Sequence, residues 1–253
     1  MLVDTHIHLA DNTYLEILDE IIEEAKGRFK SIIVSGVDYK TSLDAIRLAE
    51  RYDFLYASIG LHPQEVTKLE NLDWIKKLAK HEKVIAIGEI GLDYYWDEQY
   101  KDFQKELFIK QIKIANELKL PVIVHSRSAH QDTFDILKEN KTKGILHCYS
   151  GSLELAREYT KLGYYIGIGG VVTFKNAKTI KEVVSEIDLK YLLTETDGPY
   201  LTPHPYRGKI NRPIYIEYVI AEIARLKGKT KQEVEEKIYN NYLELFGGID
   251  EEI

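Results

Sequence analysis

Short apolar runs alternate along the chain with longer stretches in which apolar residues recur every three or four positions. The short runs are mostly continuous, without strict alternation of polarity, which is typical of parallel strands covered by helices. They predict eight strands, at Leu2–Leu9, Ser31–Val37, Phe54–Gly60, Val84–Gly88, Pro121–His125, Gly144–Tyr149, Tyr164–Gly169 and Tyr191–Glu195.

The longer stretches between these runs have the spacing of amphipathic helices. From Tyr100 to Lys119 the apolar residues mark a single helical face. The stretch from Thr13 to Lys26 has the same pattern, with Thr13 and Glu16 at the spacing of a capping box and Gly27 as its stop. These patterns predict a helix after each strand.

The order of the predicted elements indicates the fold class. Strict alternation of strands and helices implies parallel strands joined by right-handed crossovers. Eight such units in 253 residues predict an α/β protein with one TIM (β/α)8 barrel, a single domain that covers residues 1–253. A last predicted helix opens at Thr230, with Glu233 three residues later. A doubly wound open sheet is the alternative fold, because periodicity does not show closure.

Composition limits the class of protein further. The 44% hydrophobic and 30% charged residues fit an ordinary soluble domain. No apolar stretch approaches the eighteen or so residues of a membrane span, and Met1–Asp4 lacks the features of an export signal. A single cysteine, Cys148, suits a reducing compartment. We therefore predict a cytoplasmic protein with no membrane association, and the sequence indicates no obligate protein partner.

The charge of the chain bears on nucleic-acid binding. The formal net charge is −7, and lysines and glutamates are interspersed instead of forming a basic stripe. Proteins that hold long DNA through many phosphate contacts usually display such a stripe. Either nucleic acid is not the substrate, or bound metal ions supply the positive charge locally.

Candidate chemistry concentrates at the predicted strand ends, where TIM barrels carry their active sites. His6 and His8 stand at positions i and i+2 of the first strand, so both imidazoles can face one ion. A mixed set of imidazoles and carboxylates suits Zn²⁺, Mn²⁺, Fe or similar ions, whereas an all-oxygen site would suggest Ca²⁺ or Mg²⁺ alone. Five of the eight histidines fall at strand ends, together with one glutamate and one aspartate, and the whole set is His6, His8, His62, Glu89, His125, His147 and Asp197.

Each of these residues also has a purely structural interpretation. A lone strand histidine is often a hydrogen-bonded core residue, Glu89 could cap a helix, and Asp197 could cap the turn before Pro199. Cys148 follows His147 directly, so strand alternation predicts that its thiol points away from the metal and packs. The joint occurrence at several strand ends favours a metal site over these alternatives. Three further histidines are expected on the surface, His81, His130 and His204, and the tyrosines Tyr94, Tyr95, Tyr164 and Tyr165 in the core or rim.

The motifs around these residues resemble a known family. The opening Val3-Asp4-Thr5-His6-Ile7-His8 resembles the first motif of the amidohydrolase superfamily, and the later motifs resemble the TatD family specifically. The resemblance runs from residue 3 to about residue 246. The later motifs are Gly60-Leu61-His62-Pro63, Gly88-Glu89-Ile90-Gly91-Leu92-Asp93-Tyr94, Pro121-Val122-Ile123-Val124-His125-Ser126-Arg127, His147-Cys148-Tyr149-Ser150-Gly151, Glu195-Thr196-Asp197-Gly198-Pro199-Tyr200-Leu201, Arg207-Gly208-Lys209, Asn211-Arg212-Pro213 and Asn240-Asn241.

This resemblance implies a cofactor of two divalent metal cations, drawn from Zn, Mn, Mg, Fe and Ni. The bridging position, which a carboxylated lysine fills in many superfamily relatives, would be taken by a glutamate. The implied ligands are His6, His8 and Asp197 for one metal, His125 and His147 for the other, and Glu89 as the bridge, which also counts as a catalytic residue.

The resemblance also implies the reaction. The chain would be a hydrolase that cleaves phosphodiester bonds of DNA, as a 3′–5′ exonuclease on single strands, by attack of a metal-bridging hydroxide. Asp197 would orient the attacking water and take up its proton. His62 and Arg127 would hold the phosphate, Arg127 through its planar fork, and Arg207 and Arg212 would contact the neighbouring backbone of the substrate.

Two alternatives to this function remain at the level of the sequence. The same metal chemistry could act on a carboxylic ester or amide, as in aminoacyl-tRNA deacylation or cyclic amide hydrolysis. A non-catalytic binding barrel is more remote, because all six ligand positions are filled. Tyr149 stands where phenylalanine is common in the family, which adds a hydroxyl near the barrel mouth and affects substrate preference only.

Overall fold

The computed structural model describes residues 1–69, 71–96 and 98–247 of the chain. Eight strands form one sheet in the order β1 to β8, and every neighbouring pair is parallel. The strands are β1 Leu2–Ile7, β2 Phe29–Ser35, β3 Leu55–Ile59, β4 Val84–Asp93, β5 Val122–Arg127, β6 Gly144–Leu146, β7 Tyr165–Ile168 and β8 Leu192–Thr194.

Helices connect the strands and cover the outside of the sheet. They are α1 Leu18–Ala25, α2 Tyr39–Ala49, α3 Asp73–Leu78, α4 Lys101–Leu118, α5 His130–Glu139, α6 Leu153–Lys161, α7 Lys178–Glu186, α8 Ile216–Lys227 and α9 Lys231–Phe246. Short 3-10 helices occupy Asn12–Tyr14, Pro63–Glu65, Gly170–Thr173, Leu189–Tyr191 and Pro213–Tyr215.

The strand order β1 to β8 has no point of reversal, and side chains of β1 bond to β8, which confirms the predicted TIM barrel and excludes the open doubly wound sheet. Each of the eight predicted runs overlaps one observed strand. The predicted domain boundaries, 1–253, extend over residues 248–253, which lie outside the described residues. None of the helices in the described ranges combines the length and the apolar character that a bilayer crossing requires.

Side chains join the first and last strands. The hydroxyl of Thr5 donates to the carbonyl of Thr194 at 3.1 Å, and the hydroxyl of Thr194 donates to the carbonyl of Val3 at 3.0 Å. Next to them, the Asp4 carboxylate accepts from the backbone N–H and the hydroxyl of Thr196, at 3.0 and 2.6 Å. Burial raises the pKa of Asp4 to about 8. These bonds fix the register between β1 and the segment after β8, and thus the mouth of the barrel.

Two local predictions are wrong and one is confirmed. The stretch at Thr13 forms no capping box with Glu16, since Asp11 caps a short 3-10 turn there instead, through the N–H of Thr13 at 2.7 Å. Helix α1 therefore begins only at Leu18. The predicted fourth strand, Val84–Gly88, stops too early, because β4 continues to Asp93. The capping box at Thr230 is present.

The extension of β4 matters for function. All ten of its residues are buried, including Glu89 and Asp93. Apolar neighbours in the core hold this strand, and each buried Ile or Leu side chain stabilises the fold by about 1.5–3 kcal/mol. The packing of these apolar side chains thus fixes the positions of the Glu89 and Asp93 carboxylates.

Candidate metal centre

The six residues predicted as metal ligands converge at the carboxyl ends of the strands. Their nitrogen and oxygen atoms fall into overlapping groups of three, and within each group the atoms lie within 4.8 Å of one another. One group is His6, His8 and Asp197, a second is His6, Glu89 and His147, and a third is His62, Glu89 and His125.

The first side of the cluster is formed by β1 and the turn after β8. The Nε2 atoms of His6 and His8 lie 3.2 Å apart, as expected for side chains two residues apart on one strand. Oδ1 of Asp197 lies 3.6 Å from Nε2 of His6 and 3.7 Å from Nε2 of His8. Oε2 of Glu89 approaches the same two nitrogens, at 3.4 and 3.6 Å.

The other oxygen of Glu89 faces a second set of histidines. Its Oε1 lies 2.8 Å from Nδ1 of His125, 3.3 Å from Nε2 of His62 and 3.6 Å from Nε2 of His147. The two oxygens of this one buried carboxylate therefore point to different groups of nitrogens.

Ser35, at the end of β2, lies against the outer nitrogens of the first two histidines. Nδ1 of His8 lies 3.2 Å from the Ser35 carbonyl, which can only accept, so a neutral His8 carries its proton on Nδ1. Its Nε2 lone pair is then free to face the cluster. Nδ1 of His6 lies 3.0 Å from the Ser35 hydroxyl. Such partners on the far nitrogen are usual for metal-binding histidines.

Two buried carboxylates do the same for the other pair. Oε2 of Glu195 lies 3.0 Å from Nδ1 of His147, and Oδ2 of Asp93 lies 3.0 Å from Nε2 of His125. When either ring is neutral, as a metal ligand must be, its proton stays on the nitrogen that faces this carboxylate, and the opposite nitrogen has its lone pair on the side of Glu89.

His62 is held in the opposite way. Its Nδ1 accepts the backbone N–H of Gln64 at 3.1 Å, so the neutral ring carries its proton on Nε2. This Nε2–H is directed at Oε1 of Glu89. Burial lowers the pKa of His62, which keeps the ring neutral. His62 is therefore a hydrogen-bond donor at the cluster, whereas the other four histidines would present lone pairs to bound cations.

The charge of the cluster fits bound cations. Among the residues that the structure describes, no lysine or arginine forms an ion pair with Glu89, Asp93, Glu195 or Asp197; their charged partners are histidines. Buried carboxylates without a counter-ion are costly. Burial raises the pKa of Asp197 to about 6.

The pKa values of His147 and His125 show that the carboxylates favour positive charge at these two rings. Burial alone would lower the pKa of His147, but the carboxylates of Glu195, Glu89 and Asp197 outweigh it and raise the pKa to about 10. Hydrogen bonds to Asp93 and Glu89 likewise outweigh burial at His125 and raise its pKa to about 9. The cluster therefore stabilises positive charge among its carboxylates, and its imidazole and carboxylate donors are those that divalent metals prefer.

A cavity of about 930 Å³ opens above the cluster. Arg127 and Lys178 lie in its wall, as does His62. Arg207 is not among the residues that line this cavity, and its guanidinium stacks on the ring of Phe174, 3.8 Å from the ring centre.

The partners of two further residues bear on the expectations for substrate contacts. Arg212 pairs with Glu20 and Glu24 of α1, at 2.6 and 3.1 Å, and is not among the residues that line the cavity. Tyr149 lines the cavity, but its hydroxyl donates to the backbone carbonyl of Ser152 at 2.7 Å. The hydroxyl that distinguishes tyrosine from phenylalanine at this position is thus already engaged.

The prediction that Cys148 points away from the cluster is wrong. Strand β6 ends at Leu146, and the backbone of Cys148 is left-handed, with φ 46°, so strand alternation does not extend to this residue. Its thiol lies with His147 and Asp197 in a group of possible ligand atoms, and its N–H donates to Glu195. Burial raises the pKa of the thiol.

The residues that hold the histidines were not given roles in the sequence analysis. Glu195 and Asp93 carry a recognisable signal, because each is a carboxylate in a strand-end motif and would be costly to bury without a partner. Ser35 carries only a weak one, a polar residue at the end of an apolar strand. The other three histidines lie outside the cluster. His81 pairs with Glu50, His130 contacts Ser126, and His204 lies beside Phe174.

Comparison with known proteins agrees with this geometry. The family model for TatD related DNase matches residues 3–247. The chain is 50% identical to the metal-dependent hydrolase YabD of Bacillus subtilis, over 97% of this chain and 99% of that protein. It is 37% identical to the metal-dependent hydrolase YcfH of Escherichia coli, over 97% and 95% of the two chains.

The solved structures include near matches to the whole barrel. The crystal structure of YjjV, a TatD homologue of Escherichia coli, superposes with a TM-score of 0.91 at 32% identity and covers 97% of this chain and 98% of that one. A TatD family hydrolase from Entamoeba histolytica has a TM-score of 0.85 at 23% identity, over 97% of each chain, and supports the fold alone. The chain therefore belongs to the TatD family of metal-dependent hydrolases.

Proposed function

We propose that this hydrolase is a deoxyribonuclease that cleaves phosphodiester bonds of DNA, removing nucleotides from the 3′ ends of single strands. Two divalent cations would serve as its cofactor. The family model supports the class of substrate, and the cavity above the cluster supports a strand end. We also expect the protein to act in the cytoplasm, as its single cysteine suits a reducing compartment.

The observation that carries this proposal is the position of Glu89. Its Oε2 faces His6 and His8, and its Oε1 faces His125 and His147, at 2.8 to 3.6 Å in the protein alone. A carboxylate between two such sets is suited to bridge two cations. We assign His6, His8 and Asp197 to one cation and His125 and His147 to the other, with Glu89 shared.

Bound cations would supply Lewis acidity for the phosphoryl oxygens and would bring the pKa of a coordinated water from about 15.7 toward 7. The protein's own groups complete the reaction. The Asp197 carboxylate lies at the cavity wall and takes up the proton of the attacking water. Glu195 and Asp93 keep the lone pairs of His147 and His125 directed inward.

Two donors in the cavity wall suit the phosphate. His62 presents Nε2–H, because Gln64 occupies its other nitrogen. Arg127 offers a planar fork of N–H groups, which matches a phosphate better than a lysine would. We propose that these two groups bind non-bridging phosphate oxygens. Arg207 and Arg212 are not part of this proposal, because they lie on Phe174 and on Glu20 and Glu24.

The net charge of −7 is compatible with a strand end as substrate. A short single strand in the cavity needs few phosphate contacts. The cations would offset the net negative charge of the protein near the bond that is cleaved. A long duplex would need a basic surface that the sequence does not offer.

The test compares substrates side by side on metal-free and metal-loaded protein. A 5′-labelled single-stranded oligodeoxynucleotide, an aminoacyl-tRNA and a cyclic amide are each assayed after chelation and after addition of Mn²⁺, Zn²⁺ or Mg²⁺. We expect stepwise shortening of the oligonucleotide from its 3′ end, restored by metal. Metal-dependent hydrolysis of the ester or amide, with the oligonucleotide intact, would contradict the nuclease and favour the alternative chemistry.

A further inference from the structure

Three side chains form an exposed cluster on the β4–β5 side of the cavity mouth, and we call them the mouth platform: Tyr95, Trp96 and Arg127. Tyr95 is 57% and Trp96 67% exposed. Their ring centres lie 4.9 Å apart with the rings perpendicular. The guanidinium carbon of Arg127 lies 3.9 Å from the centre of the Tyr95 ring and 5.4 Å from that of Trp96.

The mouth platform is tied to the metal centre through Asp93. Oδ1 of Asp93 accepts the backbone N–H of Tyr95 at 3.0 Å, while Oδ2 holds His125. Arg127 follows His125 by two residues on β5 and pairs in register with Asp93, so both side chains leave the strand on the same face. The Asp93 carboxylate therefore positions both His125 of the cluster and the backbone of Tyr95.

The mouth platform also continues into the cavity. Trp96 and Arg127 are among the residues that line it. Across the mouth, Tyr200 is 58% exposed, and its ring lies 6.4 Å from that of His8. Strands β4 and β8 are four places apart in the sheet of eight, so the two aromatic groups flank the opening from opposite sides.

The chemistry of this surface is suited to a flat, electron-rich ring. Aromatic faces and guanidinium planes stack on nucleobases whatever their sequence, because every base has a π-face. Among the residues that the structure describes, Arg127 pairs with no carboxylate, and a stacked guanidinium keeps its N–H edges available to a phosphate. An aliphatic ester or a small amide would use neither feature.

We propose that the mouth platform stacks an unpaired nucleobase of the DNA strand while the adjoining phosphodiester bond enters the metal centre. This inference rests on the proposed function and adds a base-binding site to it. Such a site is tolerant of sequence but requires a base that is free of its partner strand, so it selects single strands over duplex at the point of entry.

Binding can be tested without catalysis, through the fluorescence of Trp96. The chain has two tryptophans, and Trp74 lies in α3 against Tyr39, with ring centres 5.6 Å apart. A Trp74→Phe variant therefore leaves Trp96 as the only tryptophan. In the presence of a chelator, we expect a short oligothymidylate to quench its emission, and an abasic oligomer of equal length and charge to leave it unchanged. Equal quenching by both oligomers, or by neither, would overturn the inference.

Kinetics of two matched variants then separate stacking from simple apolar contact. Trp96→Phe keeps an aromatic face, whereas Trp96→Leu keeps only apolar bulk. We expect KM for the oligonucleotide to rise about tenfold in Trp96→Leu and less than about twofold in Trp96→Phe, with kcat little changed in both. Tyr218→Leu is the control, an exposed tyrosine of α8 that does not line the cavity.

The outcomes distinguish this inference from the proposed function. If the parent cleaves DNA but the two Trp96 variants have equal KM values, the nuclease stands and the mouth platform does not bind bases. If base-selective quenching occurs but no metal supports cleavage of DNA, the base site stands and the proposed reaction is wrong. Thermal unfolding of each variant, measured beside the parent, excludes a general loss of folding as the cause.

Discussion

The metal centre and the mouth platform lie at the same end of the barrel, but they are held by different forces. His6, Glu89 and Glu195 are buried, and the ring nitrogens and carboxylate oxygens of these three side chains all have hydrogen-bond or charged partners. Tyr95 and Trp96 are mostly exposed, and their arrangement is fixed by ring contacts and one backbone hydrogen bond. Movement in the centre would leave buried polar groups without partners, which is costly. Movement of the mouth platform would break only exposed ring contacts and one hydrogen bond.

This difference separates two roles. A buried cluster whose partners are all assigned can hold cations at fixed positions, which catalysis needs. An exposed cluster can adapt to different bases, which a nuclease of low sequence preference needs. Changes in the centre should therefore act on the chemical step and on metal binding, and changes in the mouth platform on substrate affinity.

The largest effect is expected from Glu89→Gln. The amide keeps the shape of the side chain but loses the charge that both sets of nitrogens share. We expect kcat to fall by at least about 10³-fold, equivalent to roughly 4 kcal/mol, and metal content to drop from about two equivalents per chain. Elemental analysis and single-turnover kinetics measure the two quantities.

The matched control is Glu65→Gln, which removes a carboxylate from the cavity wall outside the cluster. It should retain both metals and nearly full activity. Two equivalents retained in the Glu89 variant would remove the bridge from the proposal, even if activity were lost.

Metal removal should also destabilise the fold. In the metal-free protein the carboxylates of Glu89 and Asp197 have only histidines as charged partners, and divalent cations would supply more positive charge. At a metal concentration about 100 times Kd, the free energy of unfolding should rise by roughly 2.7 kcal/mol per site relative to chelated protein. Thermal unfolding with and without Mn²⁺ checks this, and the Glu89→Gln variant should show a much smaller shift. An equal shift in parent and variant would place the stabilising metal elsewhere.

Much of the centre could be predicted because strand geometry carries it. Two histidines at i and i+2 of β1 must share a face, and the ends of parallel strands meet at one edge, so His125, His147 and Asp197 could be placed without coordinates. The same reasoning failed for Cys148, because it applied strand alternation beyond the end of β6. Where the strand stops is set by tertiary packing, which the local sequence does not encode.

The mouth platform could not be predicted from the sequence, for a related reason. Tyr94 and Tyr95 were expected in core or rim alike, yet Tyr94 is buried with its hydroxyl on Asp132, while Tyr95 is exposed and stacks under Arg127. No periodicity distinguishes such neighbours outside a regular element. Their environment depends on β5 and α5, which are remote in the chain.

Glu195→Gln tests whether the buried partners of the histidines matter as positioning residues. The amide oxygen can still accept from the N–H of Cys148, but the amide nitrogen then replaces the oxygen that faces Nδ1 of His147 and donates instead of accepting. We expect metal affinity to fall by about 10- to 100-fold, with activity recovered at high metal concentration. Isothermal titration with Mn²⁺ measures the first effect and kinetics at saturating metal the second.

Glu139→Gln is the control here, an exposed carboxylate at the end of α5. Recovery by added metal separates a positioning role from a catalytic one. A loss of kcat that persists at saturating metal would show that Glu195 acts in the chemistry itself.

The smallest expected effect separates two properties of Arg127, its positive charge and its planar face. Arg127→Lys keeps the charge but loses the planar face on Tyr95, and a cation–π contact at an exposed site is worth about 0.5–1 kcal/mol. We expect KM to rise by roughly 2- to 5-fold, while the dependence of binding on salt stays as in the parent. Arg127→Met removes the charge as well, and its slope of log K against log[salt] should become shallower by about 0.7, the value for one phosphate of a single strand.

The parent slope itself should correspond to only a few phosphates, since Arg127 and Lys178 are the cationic side chains in the cavity wall. Binding of an oligothymidylate to chelated protein at several salt concentrations measures all three slopes. A parent slope equivalent to six or more phosphates would mean that the strand runs over a surface outside this cavity, and the division of labour between the buried centre and its rim would then be wrong.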